Sequence, residues 1–310
     1  MQENEINPKV SVIIPTYNRA HLLERSMRSV LVQTFQDFEL IVVDDGSSDN
    51  TSTVVKQFGD ARVRYVRHNK NRGGAAARNT GINLAKGDFI AFQDSDDEWL
   101  SEKLEKQMSL LESCESHTGG VYCGFIKYNK SNTQYYPPAN VQQKEGNLSL
   151  QILHGNFIST QTLLVRRECF KVVGCFDERL TRFQDWEMMI RLAQAFEFCI
   201  VDQPLLVVYS TSDSLTNNSY AGMEAYEIIL EKHYRLLSRS PSVLADRLCN
   251  MGSLYCEHEL VMKGRICFLK ALKINPFSLT TWCLLTLSLL SNNKYRKIIG
   301  KLKALLRKNN

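Results

Sequence analysis

Phe89-Ile90-Ala91-Phe92-Gln93-Asp94-Ser95-Asp96-Asp97 runs a short apolar segment straight into three carboxylates within four residues. The apolar part has the length of a buried strand. Like charges crowded at its tip repel one another unless a cation lies between them. An all-oxygen ligand set selects a hard divalent metal, and Mg2+ is commonly held by one or two carboxylates together with substrate phosphates. The strand tip therefore reads as a site for Mn2+ or Mg2+ and a diphosphate. The plainer alternative is an Asp-rich turn that caps a helix beginning near Trp99, because Asp is favoured at helix N-caps. One cap needs a single Asp, whereas three are present here.

The segments before this one predict a sheet for it to join. Lys9 to Ile14 is a β-branched run closed by Pro15, and Phe38 to Val43 is another, closed by Asp44-Asp45-Gly46-Ser47-Ser48. Both read as interior strands of a parallel sheet. Between them Leu22, Leu23, Met27, Val30 and Leu31 recur at helical spacing, so the unit is strand, helix, strand. Val63 to Val66 predicts a third strand, and Gly73-Gly74-Ala75-Ala76-Ala77-Arg78 opens a second helix. Free backbone amides at such a helix start can receive phosphate. No G-x-G-x-x-G follows the first strand, which counts against a dinucleotide-binding site.

In order, the chain carries Val10-Ser11-Val12-Ile13-Ile14-Pro15-Thr16-Tyr17-Asn18-Arg19, Val42-Val43-Asp44-Asp45-Gly46-Ser47-Ser48-Asp49, Ala77-Arg78-Asn79 and Asp94-Ser95-Asp96-Asp97. These four motifs, in order and with matching spacing, resemble the family-2 glycosyltransferases over residues 9 to about 210. The resemblance implies the GT-A fold: α/β, with a Rossmann-like, mostly parallel central sheet flanked by helices. It also implies a nucleotide-sugar donor, a divalent metal and inversion at the anomeric carbon. By the same likeness Pro15, Thr16 and Tyr17 line the nucleoside pocket, Asp45 accepts a hydrogen bond from the base, and Arg78 sits near the nucleotide. Asp94, with Ser95 beside it, contacts ribose or donor sugar, while Asp96 binds the metal and Asp94 is a second possible ligand.

Each assignment has a plainer competitor. Asp44 and Asp45 precede Gly46 and can shape a turn, Arg78 can pair with a carboxylate on a solvated helix face, and Tyr17 can pack at a sheet edge. Farther along, Cys175-Phe176-Asp177-Glu178-Arg179 and Phe183-Gln184-Asp185-Trp186-Glu187-Met188-Met189-Ile190-Arg191-Leu192 resemble the family's second signature, in which an acidic pair opens an amphipathic helix. Asp185 stands at the position of the general base, and its competitor role is a helix N-cap. The usual Glu of the pair is Gln184 here. The stretch Val208-Tyr209-Ser210-Thr211-Ser212-Asp213 departs from relatives that carry Arg and His, which weakens any claim on an extra ligand from that loop.

Composition fits a cytosolic enzyme. With 310 residues and 44% hydrophobic content, the chain can build a substantial core plus an appendage. Nine scattered cysteines without C-x-x-C spacing support neither a disulfide framework nor a zinc site, and read as reduced core thiols. No H-x-x-x-H pair or G-x-S-x-G elbow occurs, and the polar start Met1-Gln2-Glu3-Asn4-Glu5 is unlike a signal peptide. Val121 to Tyr128 predicts a strand. Tyr135-Tyr136-Pro137-Pro138 predicts a loop whose rings either pack or stack on a sugar.

From about Gly222 the chain reads as helical, and its charge separates. No acidic residue follows Glu259, and residues 260–310 hold 11 Lys and Arg, so the chain's net +5 leaves −6 for residues 1–259. The apolar stretch Phe277 to Leu290, with Trp282, is too short to cross a bilayer. Flanked by Lys294, Arg296, Lys297, Lys301, Lys303, Arg307 and Lys308, it suits an anionic membrane surface; a packed helix with a solvated basic tail is the alternative. No aromatic–basic platform marks nucleic acid as a partner.

The expected organisation is a glycosyltransferase domain over residues 1–220, with a nucleotide-sugar half to about 115 and an acceptor half from 116, then a basic helical region over 221–310. The expected activity is non-processive, since no Q-x-x-R-W motif is present. The donor is expected to be a UDP-sugar and the acceptor a hydroxyl of a surface glycan or lipid-linked carrier, with the enzyme peripheral on the inner membrane face. A nucleotidyltransferase on a related fold and a silent glycan-binding protein are the alternatives.

Overall fold

The structure is a computed structural model. It describes residues 7–129, 132–209 and 219–290, together with Tyr295, Arg296 and Ile298. The chain packs as two units, residues 1–214 and 215–310.

In the first unit Val10–Thr16 (β1) and Phe38–Asp44 (β2) lie parallel, with Val10 opposite Phe38 and Thr16 opposite Asp44. Val63–Arg67 (β3) flanks β2 and Phe89–Phe92 (β4) flanks β1, again in parallel. Helices α1 (Ala20–Leu31), α2 (Thr51–Gln57) and α3 (Gly74–Leu84) make the crossovers between these strands. The stripe Leu23, Met27 and Val30 on α1 is fully buried against Val12, Ile14, Leu40 and Val42. Each such side chain contributes about 1.5–3 kcal/mol by leaving water. Ile13 points to the opposite face, where Gly81 of α3 lies against it.

Beyond β4 the sheet becomes mixed. Leu163–Arg166 (β8) runs antiparallel to β4, Thr118–Asn129 (β6) antiparallel to β8, and Glu197–Tyr209 (β9) parallel to β6. The two-residue strand Glu98–Trp99 (β5) pairs with β9, and Asn132–Tyr136 (β7) forms a hairpin with β6. Helices α4 (Lys103–Ser113), α5 (Cys169–Val173) and α6 (Gln184–Ala195) complete the unit. Parallel order is concentrated in β3-β2-β1-β4, so four parallel strand tips open on one edge, where ligands bind in open α/β sheets.

Four local expectations change. Pro15 does not close the first strand but lies inside β1, opposite Val43. Ile13 accepts from Gln93 on the β4 side and Thr16 from Asp45 on the β2 side. By alternation, Pro15's missing N–H would face β4 beyond its last residue, so no ladder bond is lost. No helix starts near Trp99: that residue belongs to β5, and α4 begins at Lys103. Tyr135 and Tyr136 lie in β7 rather than in a loop, and the Tyr136 ring stacks on Phe125 at 4.7 Å. Nor are all the cysteines core thiols, for Cys283 is exposed and Cys114, Cys175, Cys199 and Cys267 are only partly buried.

The second unit is helical: α7 (Ser219–Lys232), α8 (Tyr234–Leu237), α9 (Pro241–Glu257), α10 (Val261–Ile274) and α11 (Leu279–Leu287). Gly252 and Gly264 let α9 and α10 cross closely, since a Cβ at Gly264 would stand 2.8 Å from the Gly252 carbonyl oxygen. Ala245, Cys249, Cys256, Phe268, Ala271 and Tyr295 form the core. Among the described residues no helix is long and apolar enough to cross a membrane. Arg296 is not part of a free tail, because its Nε donates to the Glu257 carbonyl at 2.6 Å. The other basic residues singled out after Leu290, and Ser210-Thr211-Ser212-Asp213, lie outside the described residues.

Candidate active site

The loops that leave β1, β2 and β4 meet at the parallel strand tips. Asn18, at φ 50°, accepts the Ser48 N–H at 2.8 Å, while its own N–H donates to Ser47 Oγ at 2.9 Å. The two loops are thereby fastened together, leaving Tyr17 44% exposed. Tyr17 follows a central strand, so it does not pack at a sheet edge as the plainer reading had it. Thr16 is buried, and its Oγ1 has no partner among the described residues. Pro15 precedes it in the strand.

Asp44 and Asp45 do different work. Asp44 accepts the Ser47 N–H at 2.8 Å and the Tyr65 hydroxyl at 2.5 Å, which shapes the turn through Gly46. Asp45 reaches across to the next loop instead. Its carboxylate accepts the backbone N–H of Arg72 at 2.9 Å and of Gly73 at 2.7 Å, and His68 Nδ1 lies 2.7 Å away. The Arg72 N–H also reaches the second oxygen at 3.0 Å, so both oxygens of this buried carboxylate are engaged. Gly46, at φ 81°, has room for no side chain: a Cβ would stand 2.8 Å from the Lys70 carbonyl carbon.

At the tip of β4 the acidic residues are matched by arginines. Arg78 Nη2 donates to Asp94 Oδ1 at 2.7 Å, and Arg19 Nη1 lies 2.8 Å from Asp96 Oδ2. Ser26 donates to the Asp94 carbonyl at 2.9 Å, and Arg25 to that of Asp96. Burial, then the neighbouring Asp94 charge, pushes the Asp96 carboxyl above its ordinary range. Asp97 is buried and raised further by burial and both neighbours. Ser95 is buried between them, and the buried amide of Gln93 has no partner among the described residues. Unpaired buried polar groups cost about 1–3 kcal/mol each and need a reason.

Arg78 is not on a solvated face. Its Nη1 donates to Gln184 Oε1 at 2.9 Å, so one guanidinium ties the β4 tip to the first residue of α6. Asn79, the next residue, accepts the Phe176 N–H at 2.8 Å and donates to the Phe176 carbonyl and to Glu178 at 3.0 Å. Buried Glu187 holds Arg191 at 2.7 Å, and Arg191 in turn donates to the carbonyls of Val173, Gly174 and Cys175. The loop before α6 is thus clamped from both sides.

Asp185 is the second residue of α6, not its N-cap; the cap position is Phe183, at φ 57°. Its Oδ1 accepts the Trp186 N–H at 2.8 Å, and its Oδ2 accepts from Asn156 Nδ2 at 2.7 Å. Burial raises its pKa first and the Asp94 charge adds to this, while the Trp186 and Asn156 hydrogen bonds and Arg78 oppose. Sequence reasoning missed Asn156, Arg19, His68 and Asn79. Arg19 ends the first quoted motif and Asn79 directly follows Arg78 in another, but Asn156 and His68 carry no local signal.

Among the described residues no three metal-binding side chains converge. Asp94 and Asp96 are a two-carboxylate, all-oxygen donor pair. That fits a hard divalent ion held jointly with substrate phosphates rather than one caged by protein alone.

The family model for glycosyl transferase family 2 matches residues 11–174. The chain belongs to that family. This glycosyltransferase is 30% identical over 248 residues to an uncharacterized glycosyltransferase of Rickettsia typhi, covering 79% of this chain and 77% of that one. It is 48% identical over 102 residues to the Escherichia coli UDP-Glc:α-D-GlcNAc-diphosphoundecaprenol β-1,3-glucosyltransferase WfgD, a match spanning 33% of this chain and 40% of WfgD. Among solved structures, Staphylococcus aureus TarS residues 1–349 in complex with UDP-GlcNAc superposes with a TM-score of 0.72 at 19% identity, over 96% of this chain and 92% of that one. The mannosyltransferase PcManGT of Pyrobaculum calidifontis, in complex with GDP-Man and Mn2+, gives 0.62 at 19% identity, over 94% and 83%. The fold is of the GT-A type, and the chain is an enzyme of the glycosyltransferase class.

Proposed function

We propose that this glycosyltransferase is inverting, non-processive and metal-dependent. It moves one hexosyl or N-acetylhexosaminyl unit from a UDP-sugar to a hydroxyl of a surface glycan or its lipid-linked precursor, in polysaccharide biosynthesis. The acceptor places it at the cytoplasmic face of a membrane, to which it is peripheral. The observation that carries this reading is the Arg78 bridge, which brings the head of α6, and with it Asp185, to the acidic tip of β4. The names of WfgD and of the TarS complex, which specify UDP-Glc and UDP-GlcNAc, favour a uridine donor.

Inversion by single displacement needs one base to take the proton of the attacking hydroxyl. Asp185 has that character: it is a half-buried carboxylate with a raised pKa, held in one orientation by Asn156 and the Trp186 N–H. Pro15, Thr16 and the exposed ring of Tyr17 offer the nucleoside an apolar wall with a hydroxyl, and Asp45 is the carboxylate that would accept a base N–H in place of the contact Arg72 shares between its two oxygens. Asp94 and Ser95 line the donor side, with Arg78 supplying positive charge. Asp96, with Asp94, would hold Mn2+ or Mg2+, which when bound supplies charge against the departing diphosphate.

Screening nucleotide sugars for Mn2+-dependent thermal stabilisation identifies the donor. With that donor, Asp185→Asn is expected to lower turnover about a hundredfold or more, with donor affinity nearly unchanged. Near-normal turnover would show that Asp185 only orders the start of α6.

A further inference from the structure

The second unit leaves a set of large apolar side chains uncovered in a part of the chain that has no negative charge. On α10 the buried side is Gly264, Phe268, Ala271 and Leu272. Met262, Ile266 and Leu269 recur at i, i+4 and i+7 on an exposed stripe. The turn into α11 then presents Phe277, 91% exposed, and the helix itself opens on Leu279, 84% exposed, and carries Trp282. The Trp282 indole N–H donates to the Pro276 carbonyl at 2.8 Å, which fixes the ring beside the turn. Exposed Lys270 and Lys273 flank this surface. Soluble proteins seldom display such a patch without something that covers it.

We infer that this surface is the membrane-docking face of the protein, and that its occupant is an anionic lipid bilayer. Charge decides among the occupants. Residues 260–310 contain 11 Lys and Arg and no Asp or Glu, so a second copy of the face, or the chain's own basic C-terminal segment, would bring like charge against like. An anionic headgroup layer attracts the lysines and admits Phe277, Leu279 and Trp282 among the acyl chains. The nine residues of α11 are far fewer than the roughly 20 needed to span a bilayer, so the unit lies on the surface. The inference rests on the peripheral-membrane part of the proposed function and names the residues that perform it.

Truncation is a poor test, because Tyr295 is buried in the core of this unit. Point changes at the most exposed positions serve better. The intact chain is expected to sediment with phosphatidylglycerol-containing vesicles, less in raised salt and far less with phosphatidylcholine alone. Phe277→Glu/Leu279→Glu is expected to reduce sedimentation about tenfold or more, with an unchanged circular dichroism melt. Vesicles with bromine-labelled acyl chains are expected to quench Trp282 emission in the intact chain, measured against Trp282→Phe; this readout does not depend on the charged variant folding. An intact chain that ignores anionic vesicles overturns the peripheral reading and this face together. Equal sedimentation of the double variant, or unquenched Trp282 on bound protein, leaves the peripheral reading in place and removes the face. A dimer in light scattering that the double variant dissociates, without vesicle binding, assigns the surface to a second copy.

Discussion

Asp185 carries opposing influences that a single hydrogen bond can tip. Burial raises its pKa, and the Asn156 amide, donating to Oδ2 at 2.7 Å, favours the ionised form and pulls it back down. A general base works only when deprotonated, so activity falls as pH drops through its pKa. In Asn156→Ala the opposing hydrogen bond is gone and the carboxyl rises further. The acid limb of kcat/KM is then expected to move to higher pH, with activity partly recovered on the alkaline side. A pH–rate profile reads this directly. If the mutant loses activity equally at every pH, Asn156 positions the loop without tuning the base. Gln184 belongs at the same scale. A glutamate there would neutralise Arg78 a second time, whereas the neutral amide leaves the guanidinium paired with the Asp94 carboxylate.

The turn after β2 shows how an element positions chemistry. Gly46 is the residue at which the chain must adopt a positive φ while passing within contact of the Lys70–Asn71 backbone. Gly46→Ala is therefore expected to destabilise the first unit by about 1–3 kcal/mol or more, read as a lowered midpoint in denaturant unfolding, and to weaken nucleotide binding because Asp45 loses its register with the Arg72 and Gly73 amides. An unchanged midpoint would mean that the 68–73 loop simply moves aside. Elements of this kind were legible in the chain because periodicity and turn residues are local: β1, β2, β3, α1 and α3 could be drawn from spacing. The boundaries that failed were decided by neighbours. Pro15 fits inside β1 only because β4 has ended beside it, and Trp99 is a strand residue only because β9 pairs with it. The same distinction separates the site residues. Asp45, Arg78, Asp94 and Asp96 announce themselves by motif. Asn156 and His68 gain their meaning from partners 29 and 23 residues away that only folding brings near.

At the scale of the whole molecule the two units have separate cores and opposite chemistry. Residues 1–214 sum to −4 and 215–310 to +9, and the ligands proposed for them differ accordingly, a metal–nucleotide for one and a lipid surface for the other. Hydrogen exchange can resolve this, because a ligand that binds only the native state slows opening of the backbone it orders. With UDP and Mn2+ together, slowed exchange is expected in the loops around residues 15–19, 44–48 and 93–97, with α9 and α10 unaltered. Asp96→Ala is expected to abolish that protection and the calorimetric signal of metal-dependent UDP binding, while leaving the exchange pattern of the unliganded protein intact, since the Arg19 ion pair it removes is not part of the core. Phosphatidylglycerol vesicles are expected to do the converse, slowing exchange between residues 262 and 282 in both the parent chain and the variant. Undiminished UDP protection in Asp96→Ala would remove the metal assignment, and protection of α9 and α10 by UDP alone would show that the two units respond as one.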